Sequence, residues 1–223
     1  MELKWAIARA RAMSGREIGF RIGRAVRERV ERLGFARANP LEPKGEAGKA
    51  WLEELPRNFD PARYVEAADR VLEGRFDVFA LLDVKLGFPP QWNVDPKTRT
   101  AAPLVYGKTL NYRDSRNVGD IKYLWEINRH LELVTLAQAF HLTREPRFAA
   151  GCRTMLDSWI GANPYPLGVN WCSSLEHAMR LANWSFPWFL LGGESAGMFE
   201  GEAGQAFRRR RLDSIYQQCH FLP

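Results

Sequence analysis

Trp125-Glu126-Ile127-Asn128-Arg129-His130 and Gly168-Val169-Asn170-Trp171, inside the stretch from Asp120 to Arg180, decide how this chain is read. From Asp120 onward Ile121, Leu124, Trp125, Asn128, Leu131, Thr135 and Ala139 share one side of a helical wheel, which predicts a helix running through the first motif. Asn128 is then a polar residue on a packing face, while Glu126 and His130 point the other way as an i,i+4 pair. The turn Thr143-Arg144-Glu145-Pro146 is so short that the next helix must fold back antiparallel, bringing Phe148, Cys152, Met155, Leu156 and Trp159 onto the first. A third helix starts at Ser173, where Ser173-Ser174-Leu175-Glu176 fits a capping box. It places Leu175, Ala178, Met179, Ala182, Phe186 and Phe189 on one face, and Pro187 should kink or end it. Amides, a histidine and charged groups alternate with indoles across this stretch, a mixture suited to a groove for a polar, ring-shaped ligand.

The flanks extend the helical pattern. Residues 2–33 read as an amphipathic helical segment in two pieces broken near Ser14-Gly15. Ile18, Ile22, Ala25, Val26, Arg29 and Val30 keep a helical period and arginines fill the other face, so the segment could dock on the rest of the chain, the commoner outcome, or on a membrane surface. Asn39-Pro40-Leu41-Glu42-Pro43-Lys44-Gly45 reads as a linker. Asp60-Pro61 is a helix start, and the helix after it, carrying Tyr64, Ala67, Ala68, Val71 and Leu72, stops at Gly74. Phe76 to Gly87 is a short strand or a loop, and Phe88 to Pro96 is irregular by its prolines. A last helix, roughly Ala203 to Leu222, carries Phe207, Leu212, Ile215, Cys219 and Leu222, and its pattern is still running at Pro223. The expected organisation is an N-terminal amphipathic segment (1–38), a linker (39–59) and a helical domain (60–223). The fold class is all-α, an incomplete α/α toroid of stacked antiparallel helix pairs, truncated at the C-terminus.

Composition narrows the function. With 223 residues, 46% hydrophobic and 12% aromatic, the chain belongs among folded globular proteins. No apolar run approaches the roughly 18 to 20 residues of a membrane helix. The start Met1-Glu2-Leu3-Lys4-Trp5 shows no secretory signal, and the compartment stays unassigned. Cys152, Cys172 and Cys219 have neither metal-ligand spacing nor an even count, and read as buried apolar groups. No metal, cofactor, phosphate-binding glycine loop or nucleophile triad is indicated. The net charge of +6 points to an anionic partner. It is concentrated in Arg9 to Arg37 and in Arg208-Arg209-Arg210-Arg211, runs that read first as solvated helix faces. Nucleic acid is the alternative partner, although no nucleic-acid-binding signature accompanies these runs.

Leu124 to His130, Leu136-Ala137-Gln138-Ala139, Leu156 to Ile160 and Asn170 to Glu176 with Arg180 resemble, in order and spacing, the N-terminal helical domain of heparinase II/III-type polysaccharide lyases. Glu17-Ile18 with Arg21, Gly74-Arg75-Phe76 and Trp92-Asn93-Val94-Asp95-Pro96 are similar to earlier landmarks of that domain, so the resemblance spans residues 13 to 222. It implies β-elimination at a uronic acid: a base takes the C5 proton, amides or cations neutralise the carboxylate, and an acid protonates the leaving oxygen. In the family an Asn-His pair and a Tyr on later elements, with a histidine from a C-terminal β-sandwich, do this work. Those positions would lie beyond residue 223, so the chain would supply one wall of a groove for acidic polysaccharide and be inactive or nearly so.

Under this reading Asn170 and Trp171 contact the sugar, amide to hydroxyl or carboxylate and indole to ring face, with Trp125, Asn128, Arg129 and His130 reaching the same cleft. Each also has a structural role open to it. Asn128 could tie two helices together, His130 could pair with Glu126, and Trp171 divides between core and platform. Glu176 reads as a cap and Arg180 as its partner four residues on. A non-catalytic carbohydrate-binding or scaffolding domain is the competing function.

Overall fold

Polar caps set where the early helices of the chain begin. The structure, a computed structural model, describes residues 12–34 and 60–221, and the chain divides into two compact units, Met1–Arg37 and Ala38–Pro223. The expectations for residues 2–11, for the linker at 39–59 and for Leu222 lie outside the described residues. In the first unit, helix α1 (Gly15–Arg32) starts where the Ser14 hydroxyl accepts the Glu17 amide at 3.2 Å, so the expected break at Ser14-Gly15 is a helix start.

The second unit is mostly helical, 65% helix against 7% strand for the protein as described. Helix α2 (Ala62–Leu72) is capped by Asp60, whose carboxylate accepts the Ala62 amide at 2.9 Å. It ends at Gly74, which has φ +77°, and a Cβ there would lie 2.6 Å from the Gly87 backbone; only glycine fits. Phe76 to Gly87 contains strands β1 (Arg75–Val78) and β2 (Leu81–Lys85), paired antiparallel with a bulge between Phe76 and Val78. The irregular run that follows is held by buried Asp95, whose carboxylate accepts from the amides of Lys97, Thr98 and Asp120, the last at 2.7 Å. That bond fixes the start of α4 (Ile121–Ile127), just after the short α3 (Ser115–Val118).

Two helical hairpins then stand side by side. α5 (Leu131–Thr143) and α6 (Pro146–Ala162) form the first, α7 (Ser174–Leu190) and α8 (Gly201–Phe221) the second. Within each the helices run antiparallel: Cys152 meets Leu133 while Trp159 meets His130, and Arg180 meets Gln218 while Trp188 meets Phe199. Between hairpins, like helices run parallel. His130 lies against Trp184 and His141 against Leu190 in one layer, Arg153 against Ala203 and Arg210 against Asp157 in the other. The core between them is built on Leu133, Leu136, Phe148, Met155, Trp159, Trp184 and Phe207.

Three sequence expectations change. The helix from Asp120 stops at Ile127; Asn128 and Arg129 follow, and His130 sits at φ +62° in the left-handed region before α5 begins. This break resets the helical phase, so Leu131 is 45% exposed although it was placed on the packing face. On α7 the apolar face is turned outward: Leu175, Ala178, Met179 and Ala182 are exposed, while Glu176, His177, Arg180, Asn183, Trp184 and Pro187 are buried. Pro187 sits inside α7 without ending it. On α8 the inward stripe is Gly204, Phe207, Arg211, Ser214 and Gln218, and Cys219 is exposed, because the facing surface of α7 is polar and takes polar partners.

Glu132, in the first turn of α5, has its Oε2 closed off from solvent and without a partner among the described residues. Burial, with help from Glu126 and Asp77, raises its carboxyl from 4.5 to about 7. The folded state therefore holds the proton more tightly than the unfolded one, so this stabilisation is complete below pH 4.5 and is lost as pH rises through 7. Glu132→Gln is expected to be more stable than the parent at pH 8 by roughly 3 kcal/mol, and nearly equal to it at pH 4.5. Urea unfolding at the two pH values measures this; a parent-like response of Glu132→Gln to pH would refute it.

Candidate functional site

The buried polar groups of the central motif converge on one amide. Asn128 follows the last turn of α4 with no exposed surface. Its Nδ2 donates to the carbonyls of Trp92 (2.8 Å) and Leu124 (2.7 Å), and its Oδ1 accepts from Trp159 Nε1 (2.8 Å) and Asn170 Nδ2 (2.9 Å). Asn170 Nδ2 is shared with Asn163 Oδ1 at 2.8 Å, and the Asn163 carbonyl accepts Trp171 Nε1 at 3.0 Å. The turn Val169–Trp171 is pressed close to Gly107, where a Cβ would collide with the Trp171 carbonyl.

His130 lies in the same layer, ringed by Trp92, Trp159 and Trp184 at centroid distances of 5.0 to 5.8 Å. Trp184 Nε1 donates to its Nδ1 at 2.7 Å, which assigns the ring proton to Nε2. Burial, reinforced by the positive charge of Arg180, holds its pKa well below 6.5, so this imidazole stays neutral across the physiological range. His177 behaves alike, pushed down to about 3 by burial. Arg180 is fully buried. It donates Nε to Gln218 Oε1 (3.0 Å) and Nη2 to the Asn170 carbonyl (2.7 Å), with its guanidinium over Trp159 at 4.8 Å, and burial lowers its pKa to about 9. The expected Glu176–Arg180 hydrogen-bonded pair is therefore replaced.

Glu176 does not close a capping box either. It takes Arg129 as a fork, Nε to Oε2 and Nη2 to Oε1, both 2.8 Å, while Arg129 Nη1 reaches Glu126 at 2.8 Å. Two carboxylates hold one guanidinium, raising its pKa above the usual arginine value. Glu126 is thereby withdrawn from the pair expected with His130.

Of the six residues singled out from the sequence, Asn128, His130, Asn170 and Trp171 have no exposed surface, while Trp125 and Arg129 are partly exposed. The first four meet each other and their neighbours, so of the six only Trp125 and Arg129 reach the surface. Trp125 Nε1 donates to the Val169 carbonyl at 3.1 Å, which ties the exposed indole to the buried turn. The ring of Tyr112 lies 5.2 Å from it at an angle of 47°, and the Arg113 guanidinium sits 5.5 Å from the Tyr112 centroid. Tyr112 and Arg113 were missed in the sequence, where Asn111-Tyr112-Arg113-Asp114 is a short polar turn whose one signal is an aromatic among turn residues. The patch of Tyr112, Arg113 and Trp125 brings together two partly exposed rings and an exposed guanidinium with no carboxylate partner among the described residues.

Among the described residues no group of three or more His, Cys, Asp or Glu side chains is arranged to hold a metal ion. In the arginine run, Arg208 pairs with Glu194 and Arg210 with Asp157, and Arg211 is buried over Trp188 at 4.4 Å. Arg209 and Arg210 are exposed and keep the solvated role expected of the block, Arg208 is half-buried and Arg211 leaves it. Compared with known proteins, the chain matches no protein-family model, no curated protein and no solved structure.

Asn128→Ala strands two buried donors, Trp159 Nε1 and Asn170 Nδ2, and two carbonyls, and is expected to cost about 3 to 4 kcal/mol of unfolding free energy. Trp125→Ala loses one hydrogen bond of a partly exposed ring and should cost about 1 to 2 kcal/mol. Urea titration of both variants checks the order; a smaller loss for Asn128→Ala than for Trp125→Ala would show that the amide is not the hub.

Proposed function

We propose that this chain contributes a carbohydrate-binding wall of a groove that takes uronate-containing acidic polysaccharide, as part of an α/α toroid of the heparinase II/III lyase type. The observation that carries the reading is the surface patch of Tyr112, Arg113 and Trp125. A sugar ring has apolar C–H faces that stack on aromatic rings, and a uronate adds a carboxylate that a guanidinium can meet. Two hairpins with like helices parallel are what stacked antiparallel pairs of a toroid would present, and the order of motifs from Leu124 to Arg180 supports the same family. Binding rather than chemistry is assigned to residues 1–223. Both central histidines are buried and neutral, and Arg129 is already neutralised by two carboxylates. The nucleic-acid reading loses some support because Arg211 of the arginine block is buried over Trp188, while Arg208 and Arg210 share their charge with Glu194 and Asp157 at the surface.

Alginate and heparan sulfate, with neutral dextran as control, are the probes, read by tryptophan fluorescence and calorimetry. Saturable binding to at least one uronate polymer is expected, weakened about tenfold by Trp125→Ala or Tyr112→Ala and a few-fold by Arg113→Gln, the last effect shrinking as salt is raised. No unsaturated uronate should accumulate. Absence of binding to both acidic polymers, or binding indifferent to Trp125→Ala and Tyr112→Ala, refutes the assignment; tighter binding to single-stranded RNA through the same residues would transfer the patch to nucleic acid.

A further inference from the structure

Helix α1 carries a second interaction surface. Over Gly15–Arg32 and its C-cap Leu33, the residues Ile18, Ile22, Val26, Val30 and Leu33 follow one another at helical spacing, and all are exposed, from 39% at Ile18 to 62% at Leu33. Gly15, Gly19 and Gly23 flank this stripe, and a Cβ added at any of them would meet nothing within 4 Å. The face is therefore broad, aliphatic and smooth. The opposite side is charged. The helix holds six arginines against three glutamates; Arg21 and Arg24 pair with Glu17 and Glu28, whereas Arg16, Arg27, Arg29 and Arg32 have no ion-pair partner among the described residues. Phe20, 67% exposed, stands apart on the arginine side.

We propose that α1 lies in the interfacial plane of an anionic lipid bilayer, the Ile18-to-Leu33 stripe entering the headgroup–acyl boundary and the arginines meeting lipid phosphates. The combination of an aliphatic stripe and an arginine-rich polar side is what such a surface selects. Charge complementarity favours this occupant over a second copy of the chain, since two net-positive helices laid face to face would repel. Arg29 falls inside the stripe, between Ile18 and Ile22 on the helical wheel, and is long enough to lay its methylenes along the apolar side and lift its guanidinium to the phosphates. The helix lies on the membrane rather than across it: no described helix is long and apolar enough to span one. The proposal is independent of the polysaccharide reading.

The test is co-sedimentation of the full chain with phosphatidylcholine vesicles, with and without phosphatidylglycerol. Binding is expected only where phosphatidylglycerol is present, weakening as salt is raised, and falling about tenfold in the double variant Ile22→Asp/Val26→Asp. The urea midpoint and the sedimentation coefficient of the free double variant should match the parent. Failure to bind anionic vesicles, or binding that the double variant retains, overturns the proposal. So does a lowered urea midpoint or the loss of an oligomer in the double variant, which would give the stripe to the chain's own helices or to a second copy.

Discussion

One buried amide that donates twice and accepts twice sets the conditions for the central part of this fold. Asn128 joins the irregular segment at Trp92, the end of α4, the last turn of α6 at Trp159 and the turn at Asn170. Each of these backbone or side-chain groups would be costly to bury alone, and all but the Leu124 carbonyl come from outside the helix that Asn128 ends. A leucine of similar size could fill the same volume but would leave two donors and two carbonyls without partners. The amide thus specifies geometry as well as contributing stability. It fixes the break between α4 and α5, and with it the left-handed turn at His130 that carries the imidazole into a ring of indoles.

The same constraint explains why α7 faces the way it does. Its inward face consists of Glu176, His177, Arg180 and Asn183 as well as Trp184, which is tolerable because each polar side chain finds a specific partner: Glu176 takes Arg129, Arg180 takes Gln218 and the Asn170 carbonyl, and Asn183 the Arg129 carbonyl, all from other elements, while His177 meets the Ser173 carbonyl at the start of its own helix. Arg180 is the extreme case. Its charge is buried without a hydrogen-bonded carboxylate, and burial lowers its pKa to about 9, a cost that the surface of Trp159 and the negative charge of Glu176 offset only in part. α8 answers in kind, turning Gln218, Ser214 and Arg211 inward where a simple amphipathic helix would turn Leu212 and Cys219.

Helix existence, the antiparallel hairpin at Thr143–Pro146 and the glycine stop at Gly74 were legible from sequence because each rests on a local rule: apolar spacing, a turn too short to allow another course, a φ that only glycine takes without strain. The polarity of α7 was not legible. A period of 3.6 identifies which residues share a face, and apolarity is then taken to mean inward; Leu175, Met179 and Ala182 break that inference because the partner surface is polar. The break at Asn128 was hidden for a related reason, since the motif keeps an unbroken apolar period on paper. Of the candidate site, the importance of Asn128 and Asn170 could be read, as polar groups in expensive places, but their use could not. They hold each other, and the exposed patch beside them depends on Tyr112 and Arg113, a turn without periodicity.

The distribution of charge joins the two surfaces. A net charge of +6 would act as a diffuse field if its arginines were evenly solvated, but many are engaged: Arg129 between two carboxylates, Arg75 on Glu73 and Asp83, Arg147 on Asp69 and Glu145, Arg208 and Arg210 on partners from other elements. Arg113 beside Tyr112, and Arg16, Arg27, Arg29 and Arg32 on α1, stand apart from such pairs and lie next to exposed apolar groups. An unpaired guanidinium beside a ring face or an aliphatic stripe is an arrangement that folding alone does not require, since a surface pair adds little to stability and an exposed apolar face subtracts from solubility. Each of these places therefore combines, within a few residues, the apolar contact and the cation that an anionic ligand with a hydrophobic side would need.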